Sequence, residues 1–170
     1  MDLKQTIRAF ADYPAPGVMF RDITTLLKDP KALRVALDEM AGQLEGVDFD
    51  LILAPESRGF IFGMPLADRL GKGFVPARKK GKLPGDVTVG EYTLEYGTDT
   101  IEIHTDAVEN GQKVVLVDDL LATGGTAKCV CDIVKSLGGT VVCGLFLIEL
   151  EGLGGRQALG NTEVKKVLSY

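Results

Sequence analysis

Residues 114–126 read Val-Val-Leu-Val-Asp-Asp-Leu-Leu-Ala-Thr-Gly-Gly-Thr. Four consecutive aliphatic β-formers, Val114 to Val117, suit a strand buried on both faces of a parallel sheet, and Gly124-Gly125-Thr126 suits a tight turn into a helix. Such a turn offers backbone N–H groups, the hydroxyls of Thr123 and Thr126, and the positive end of the next helix dipole, which together cradle a phosphate. Asp118 and Asp119 cannot share that role, because carboxylates repel phosphate. They suit a partner rich in hydroxyls, such as a ribose, or a metal held by the same ligand. Phosphate on one side and sugar on the other describe a phosphoribosyl group. A glycine-rich loop after a buried strand discriminates weakly by itself, since any doubly wound protein has one; two adjacent acids ending such a strand discriminate well.

Working outward, the remaining elements predict an α/β fold with a mainly parallel sheet flanked by helices. Leu3, Ile7 and Phe10 recur at helical spacing before Tyr13-Pro14-Ala15-Pro16-Gly17 imposes an extended loop. Asp29-Pro30 reads as an N-cap and first-turn proline, followed by an apolar face of Leu33, Leu37, Met40, Ala41 and Leu44. A strand over 50–54 ends at the turn Pro55-Glu56-Ser57-Arg58-Gly59, and Phe60, Met64, Ala67 and Leu70 mark the next helix. Phe74 to Ala77 is a short strand in which Pro76 avoids a fully paired ladder position. A basic, glycine-containing stretch from Arg78 to Gly90 leads into alternating runs at 91–95 and 100–104, a hairpin signature. A helix from the phosphate loop to Gly138-Gly139, an apolar strand over 140–148, a glycine-rich segment 151–155 and a short tail complete the chain.

Composition narrows the function classes. The 170 residues are 45% hydrophobic and 25% charged, which suits one domain spanning 1–170. A net charge of −5 argues against a nucleic-acid surface, which needs clustered cations to displace counterions. No apolar run approaches the roughly 18 residues that would cross a membrane, and Met1-Asp2-Leu3-Lys4 lacks a signal-peptide core, so a cytosolic, soluble protein is expected. Three cysteines form neither a disulfide framework nor a zinc ligand set, and Cys129, Cys131 and Cys143 read as core thiols. The lone His104 has no partner motif for triad chemistry.

Any further phosphate on such a ligand needs cations. Arg58 stands on a turn after one buried strand, and Arg78, Lys79 and Lys82 follow another, so both could converge on it. A basic loop is equally often a solvated surface.

The stretch 118–126 resembles the 5-phosphoribosyl-1-pyrophosphate (PRPP) motif of the type I phosphoribosyltransferases. Taken in order, Gly17-Val18-Met19-Phe20-Arg21-Asp22-Ile23, Glu56-Ser57-Arg58-Gly59-Phe60, 78–85, 92–97 and the phosphate loop resemble the adenine phosphoribosyltransferases from about Phe10 to Glu149. The resemblance implies transfer of the phosphoribosyl group from PRPP to N9 of adenine, giving AMP and pyrophosphate with Mg²⁺. It implies PRPP binding by Asp118, Asp119, Ala122, Thr123, Gly124, Gly125, Thr126, Ser57, Arg58, Arg78, Lys79 and Lys82. A hood over about 10–27 would read adenine through Phe20 stacking and the backbone of Met19 and Arg21, with Leu120 closing the apolar side. A mobile catalytic loop over about 80–98 would bring Glu95, to handle the purine proton, and Tyr96 to the reacting centre. The Mg²⁺ would ride mainly on PRPP oxygens and water, with no metal ligand set in the protein itself. The family also implies a cis peptide at Glu56-Ser57 and a homodimer, with adenine and PRPP as small-molecule partners and neither nucleic acid nor membrane. Two alternatives remain open at this point: a purine phosphoribosyltransferase acting on a 6-oxopurine, and a PRPP-sensing regulator without the reaction.

Overall fold

Alternation decides the architecture. Along the central strand, Val115 and Val117 point into one apolar cluster while Val114 and Leu116 point into another, so the strand is covered on both faces. The computed structural model describes residues 1–94 and 97–170. Its strands are β1 (Arg8–Ala11), β2 (Met19–Asp22), β3 (Leu51–Pro55), β4 (Gly73–Lys79), β5 (Val87–Leu94), β6 (Gly97–His104), β7 (Lys113–Leu121), β8 (Thr140–Glu149) and β9 (Glu163–Ser169). The α-helices are α1 (Thr24–Lys28), α2 (Pro30–Gln43), α3 (Arg58–Leu70), α4 (Gly125–Ser136) and α5 (Gly155–Ala158).

Seven strands form one sheet in the order β5-β6-β4-β3-β7-β8-β9, and β1 and β2 pair separately as an antiparallel hairpin. The run from β4 to β9 is parallel, while β6 joins β4 and β5 antiparallel. Phe62 and Leu66 of α3 and Met40 of α2 bury against one face, and Val130, Ile133 and Val134 of α4 against the other. The helices following the adjacent strands β3 and β7 thus leave on opposite faces. A crevice opens at the carboxyl ends of strands where such a switch occurs.

Local signals explain several boundaries. Asp29 caps α2 through its Oδ1, which accepts from the N–H groups of Lys31 and Ala32 at 2.8 and 3.3 Å, and Pro30 occupies the first turn. Pro76 lies on β4 before β6 joins at Arg78↔Glu102 and Lys79↔Ile101, so its missing N–H interrupts no ladder on that edge. Gly90, within β5, lets that strand cross α4 closely: a Cβ there would lie 2.5 Å from Cys129 Sγ.

Four expectations are corrected. The N-terminal helix is a single 3₁₀ turn, Leu3–Thr6, followed by β1. Leu3 and Ile7 are buried, but Phe10 is 44% exposed, and pairing with β2 satisfies the backbone that a helix would have used. Strand β7 does not stop at the acids but runs through them to Leu121, because its ladder with β8 continues to Leu121↔Glu149. The hairpin begins at Val87, inside the stretch read as a basic loop. What reads as only a short tail holds regular structure: α5 and an entire edge strand, β9, lie there. No helix among the described residues is long and apolar enough to cross a membrane.

Candidate active site

The crevice lies where β3 and β7 end. There, two adjoining hollows of about 180 and 410 Å³ share Arg58, Tyr92, Asp118, Asp119 and Thr126 in their walls. The smaller is closed by Leu120 to Ala127, which includes the whole glycine-rich loop, and the larger by Glu56, Ser57 and Lys79. A further hollow of about 280 Å³, lined by Lys128, Asp132 and Lys135 with Ala158 and Thr162, contains none of the candidate residues.

The loop itself is a helix start without a side-chain cap. Gly124 occupies the N-cap of α4 at φ +84°, a left-handed conformation that suits glycine, and no side chain caps the helix. The first-turn N–H groups of α4 therefore lack a side-chain cap, an arrangement suited to an anion. Thr123 is exposed at the rim and Thr126 is half-buried.

The acids differ in surroundings. Asp119 is 5% exposed and pairs with Arg58, whose Nε lies 2.9 Å from Oδ2. Asp118 accepts from the Asp119 backbone N–H at 2.8 Å. Burial pushes the Asp118 carboxyl well above the usual carboxylate range, and the neighbouring charge of Asp119 pushes it further. A ligand presenting hydroxyl donors would relieve both effects.

The turn from β3 to α3 brings the cations in. The peptide between Glu56 and Ser57 is cis, and Ser57 and Arg58 follow it at the start of α3. Glu56, which the sequence reading did not single out as a site residue, organises the basic segment. Its carboxylate accepts from the Lys79 backbone N–H and from Arg78 Nη2 at 3.2 Å. Burial raises the Glu56 carboxyl, but these donors outweigh it and hold it below its ordinary value. Asp99 is a second unanticipated partner, 3.6 Å from Lys79 Nζ and accepting from Tyr92 OH at 3.2 Å. Tyr92 stood inside a quoted motif, but alternation along a strand gave no reason to separate it from Thr93.

Not every candidate reaches the hollows. Ser57, Arg58, Lys79, Leu120 and 122–126 line them; Arg78 turns onto Glu56, and Lys82 lies exposed outside, accepting Arg78 Nη1 through its carbonyl at 3.4 Å. Met19, Phe20 and Arg21 sit on β2, where Phe20 packs edge-on against Tyr13 at 5.2 Å and the Arg21 guanidinium lies 3.8 Å from the Tyr170 ring centroid. Glu95 and Tyr96 lie outside the described residues. The cysteines are free; Cys129 and Cys143 are buried in the core as expected, while Cys131 is half-buried, and burial pushes Cys131 and Cys143 up to about 11.

Comparison with known proteins gives consistent matches. Residues 24–149 match the phosphoribosyl transferase domain family. The chain is 54% identical to an adenine phosphoribosyltransferase of Thermotoga neapolitana, over all of both chains. It superimposes with a TM-score of 0.96 on the crystal structure of an adenine phosphoribosyltransferase from Thermoanaerobacter pseudethanolicus, 53% identical, covering 99% of this chain and 98% of that one. A Saccharomyces cerevisiae adenine phosphoribosyltransferase, complexed with an imino-altritol bisphosphate and adenine, matches with a TM-score of 0.92 at 37% identity, over 98% and 97% of the two chains.

Proposed function

Since the chain belongs to the adenine phosphoribosyltransferases, of the type I phosphoribosyltransferase family, and so converts adenine to AMP in purine salvage, we propose how its residues divide that work. The observation that carries the reading is the meeting of Asp118, Asp119, Arg58 and the 122–126 loop around one crevice. The loop and the start of α4 hold the 5′-phosphate of PRPP, and the two acids accept hydrogen bonds from the ribose 2′- and 3′-hydroxyls. Ser57, Arg58 and Lys79 meet the pyrophosphate, with Arg78 and Lys82 at the margin.

Adenine enters beneath the β1–β2 hairpin. Phe20 stacks on the purine, the backbone of Met19 and Arg21 reads its edge, and Leu120 closes the apolar side. As the N9–C1′ bond forms and pyrophosphate leaves, positive charge develops on the ribose ring, and water must be kept away. Glu95 handles the purine proton, and Tyr96 accompanies it on the closing segment.

Mg²⁺ fits this donor set as a companion of the substrate. Among the described residues, no three carboxylate, imidazole or thiol groups converge as a cage, whereas pyrophosphate and ribose supply the oxygen ligands that magnesium prefers. When bound, it supplies neutralisation of the leaving group's charge.

The reading is tested by pyrophosphate release with PRPP and Mg²⁺ against adenine, hypoxanthine, guanine and xanthine side by side. Release with adenine alone is expected; release with a 6-oxopurine instead would remove the hood assignment while leaving the PRPP site. Glu95→Gln should lower kcat by roughly 100-fold with little change in KM for PRPP, the signature of a lost proton-transfer role. An unchanged kcat would retire that role.

The functional unit is a homodimer in this reading. Ile61 and Met64 leave an apolar strip on the outer face of α3, 37% and 51% exposed, that a second copy would cover. Elution as a monomer at micromolar concentration would overturn it.

A further inference from the structure

The glycine-rich segment 151–155 has no part in the chemistry above, yet it ends against the phosphate loop. A Cβ at Gly155 would lie 2.6 Å from the Ala122 carbonyl oxygen and 2.6 Å from Leu121 Cγ. From the other side, a Cβ at Gly124 would lie 2.9 Å from the Gly155 oxygen and 2.8 Å from Ala158 Cβ. The backbones of the loop and of α5 therefore approach closely at Gly124 and Gly155, with only the side chains of Leu121 and Ala158 packed beside the contact. Neither Gly155 nor Arg156 lines the hollow.

Four residues cannot hold a helix by themselves. Helix α5 is clasped instead. Arg156 lays its fork on Glu149, Nε to Oε1 at 2.6 Å and Nη2 to Oε2 at 2.8 Å, and its Nη1 donates to the Val164 carbonyl at 3.1 Å. Glu149 is 5% exposed and ends β8; the next residue, Leu150, donates its N–H to the Leu121 carbonyl at 2.9 Å. Leu159 anchors the other end of α5 in the core. A buried carboxylate is a poor source of net stability, and its best-supported use is to fix one arrangement among several.

We infer that α5, clasped by the Arg156–Glu149 pair, is a positioning element that sets the 122–126 loop at the height the 5′-phosphate requires. The inference rests on reading that loop as the phosphate cradle. A displacement of the loop by a fraction of an ångström would act on PRPP and leave adenine recognition alone.

Gly155→Ala tests it. The residue is not in the left-handed region, so the substitution adds a contact without backbone strain. KM for PRPP should rise roughly tenfold or more, with KM for adenine and kcat within about twofold, and calorimetric PRPP binding should weaken in parallel. Gly152→Ala is the control: at φ +85° with nothing within 4 Å, it adds strain without touching the loop. It should lower the melting temperature and leave KM for PRPP unchanged. Gly155→Ala with a lowered melting temperature but wild-type PRPP binding would reduce α5 to a structural role and overturn the inference. If Gly155→Ala does not fold, Arg156→Lys reads the same point, since it keeps the charge and loses the fork. KM for PRPP should then rise about threefold, and no change would overturn the inference. A wild-type chain inactive with adenine would count against the proposed function, while direct PRPP binding would still decide this point.

Discussion

Replacing Asp118 with asparagine is expected to stabilise the free protein at pH 7 while lowering kcat/KM for PRPP roughly 30-fold. Both effects have one origin. Burial, and then the charge of Asp119, raise the folded-state pKa of Asp118 above its unfolded value of 3.8. For a carboxyl shifted in that direction, the associated stability is present below the unfolded pKa and lost as pH rises through the folded one. At neutral pH, above the unfolded value, this carboxyl is therefore a cost to the free protein. Asparagine removes the charge and keeps the oxygen that accepts from the Asp119 N–H. It is a weaker acceptor for a ribose hydroxyl, hence the loss in catalysis. Melting curves from pH 7 downward should show the variant above the wild type at first, with the gap narrowing toward the unfolded value of 3.8. Equal melting temperatures at pH 7 would refute the electrostatic account. Converting both acids should lower kcat/KM by on the order of 10³, since two hydrogen bonds to charged acceptors are then lost.

Phe62→Ala is expected to destabilise the fold by about 4 kcal/mol, lowering the melting temperature by roughly 10 °C. Phe62 is fully buried on α3, in the cluster that includes Ile52 of β3 and Val115 and Val117 of β7. Truncation leaves a cavity under the helix whose first residue is Arg58. Activity well below the new melting temperature should fall much less than stability. A shift of only one or two degrees in thermal denaturation would mean that the sheet and α3 close the gap.

What the sequence revealed of this fold depended on how local each signal was. The Asp29-Pro30 cap, the buried strand at 114–117 and the glycine loop are set by near neighbours, and each lies where its pattern points. The N-terminal strand was illegible because three apolar residues at helical spacing cannot report pairing with a segment ten residues away. Strand β9 was hidden for a related reason: Lys165 and Lys166 break its apolar alternation, and it lies at the sheet edge against β8. Within the site, the acids and the loop stood out because their residue types conflict with an ordinary buried strand. Glu56 and Asp99 did not, since a carboxylate that organises cations looks in sequence like any surface acid.

The short junction between β4 and β6 gives the sheet an uneven mechanical character. The five parallel strands are joined by ladders of three to eight residue pairs, while the β5–β6 arm meets them through two, beginning only after Pro76. The arm also packs on the body through Ile101 and Ile103 in the shared core and through Gly90 against α4. An arm attached in this way can yield without breaking a rung of the parallel body; under the proposed assignment, the parallel body would hold phosphate and ribose while the arm carries the chain toward Glu95.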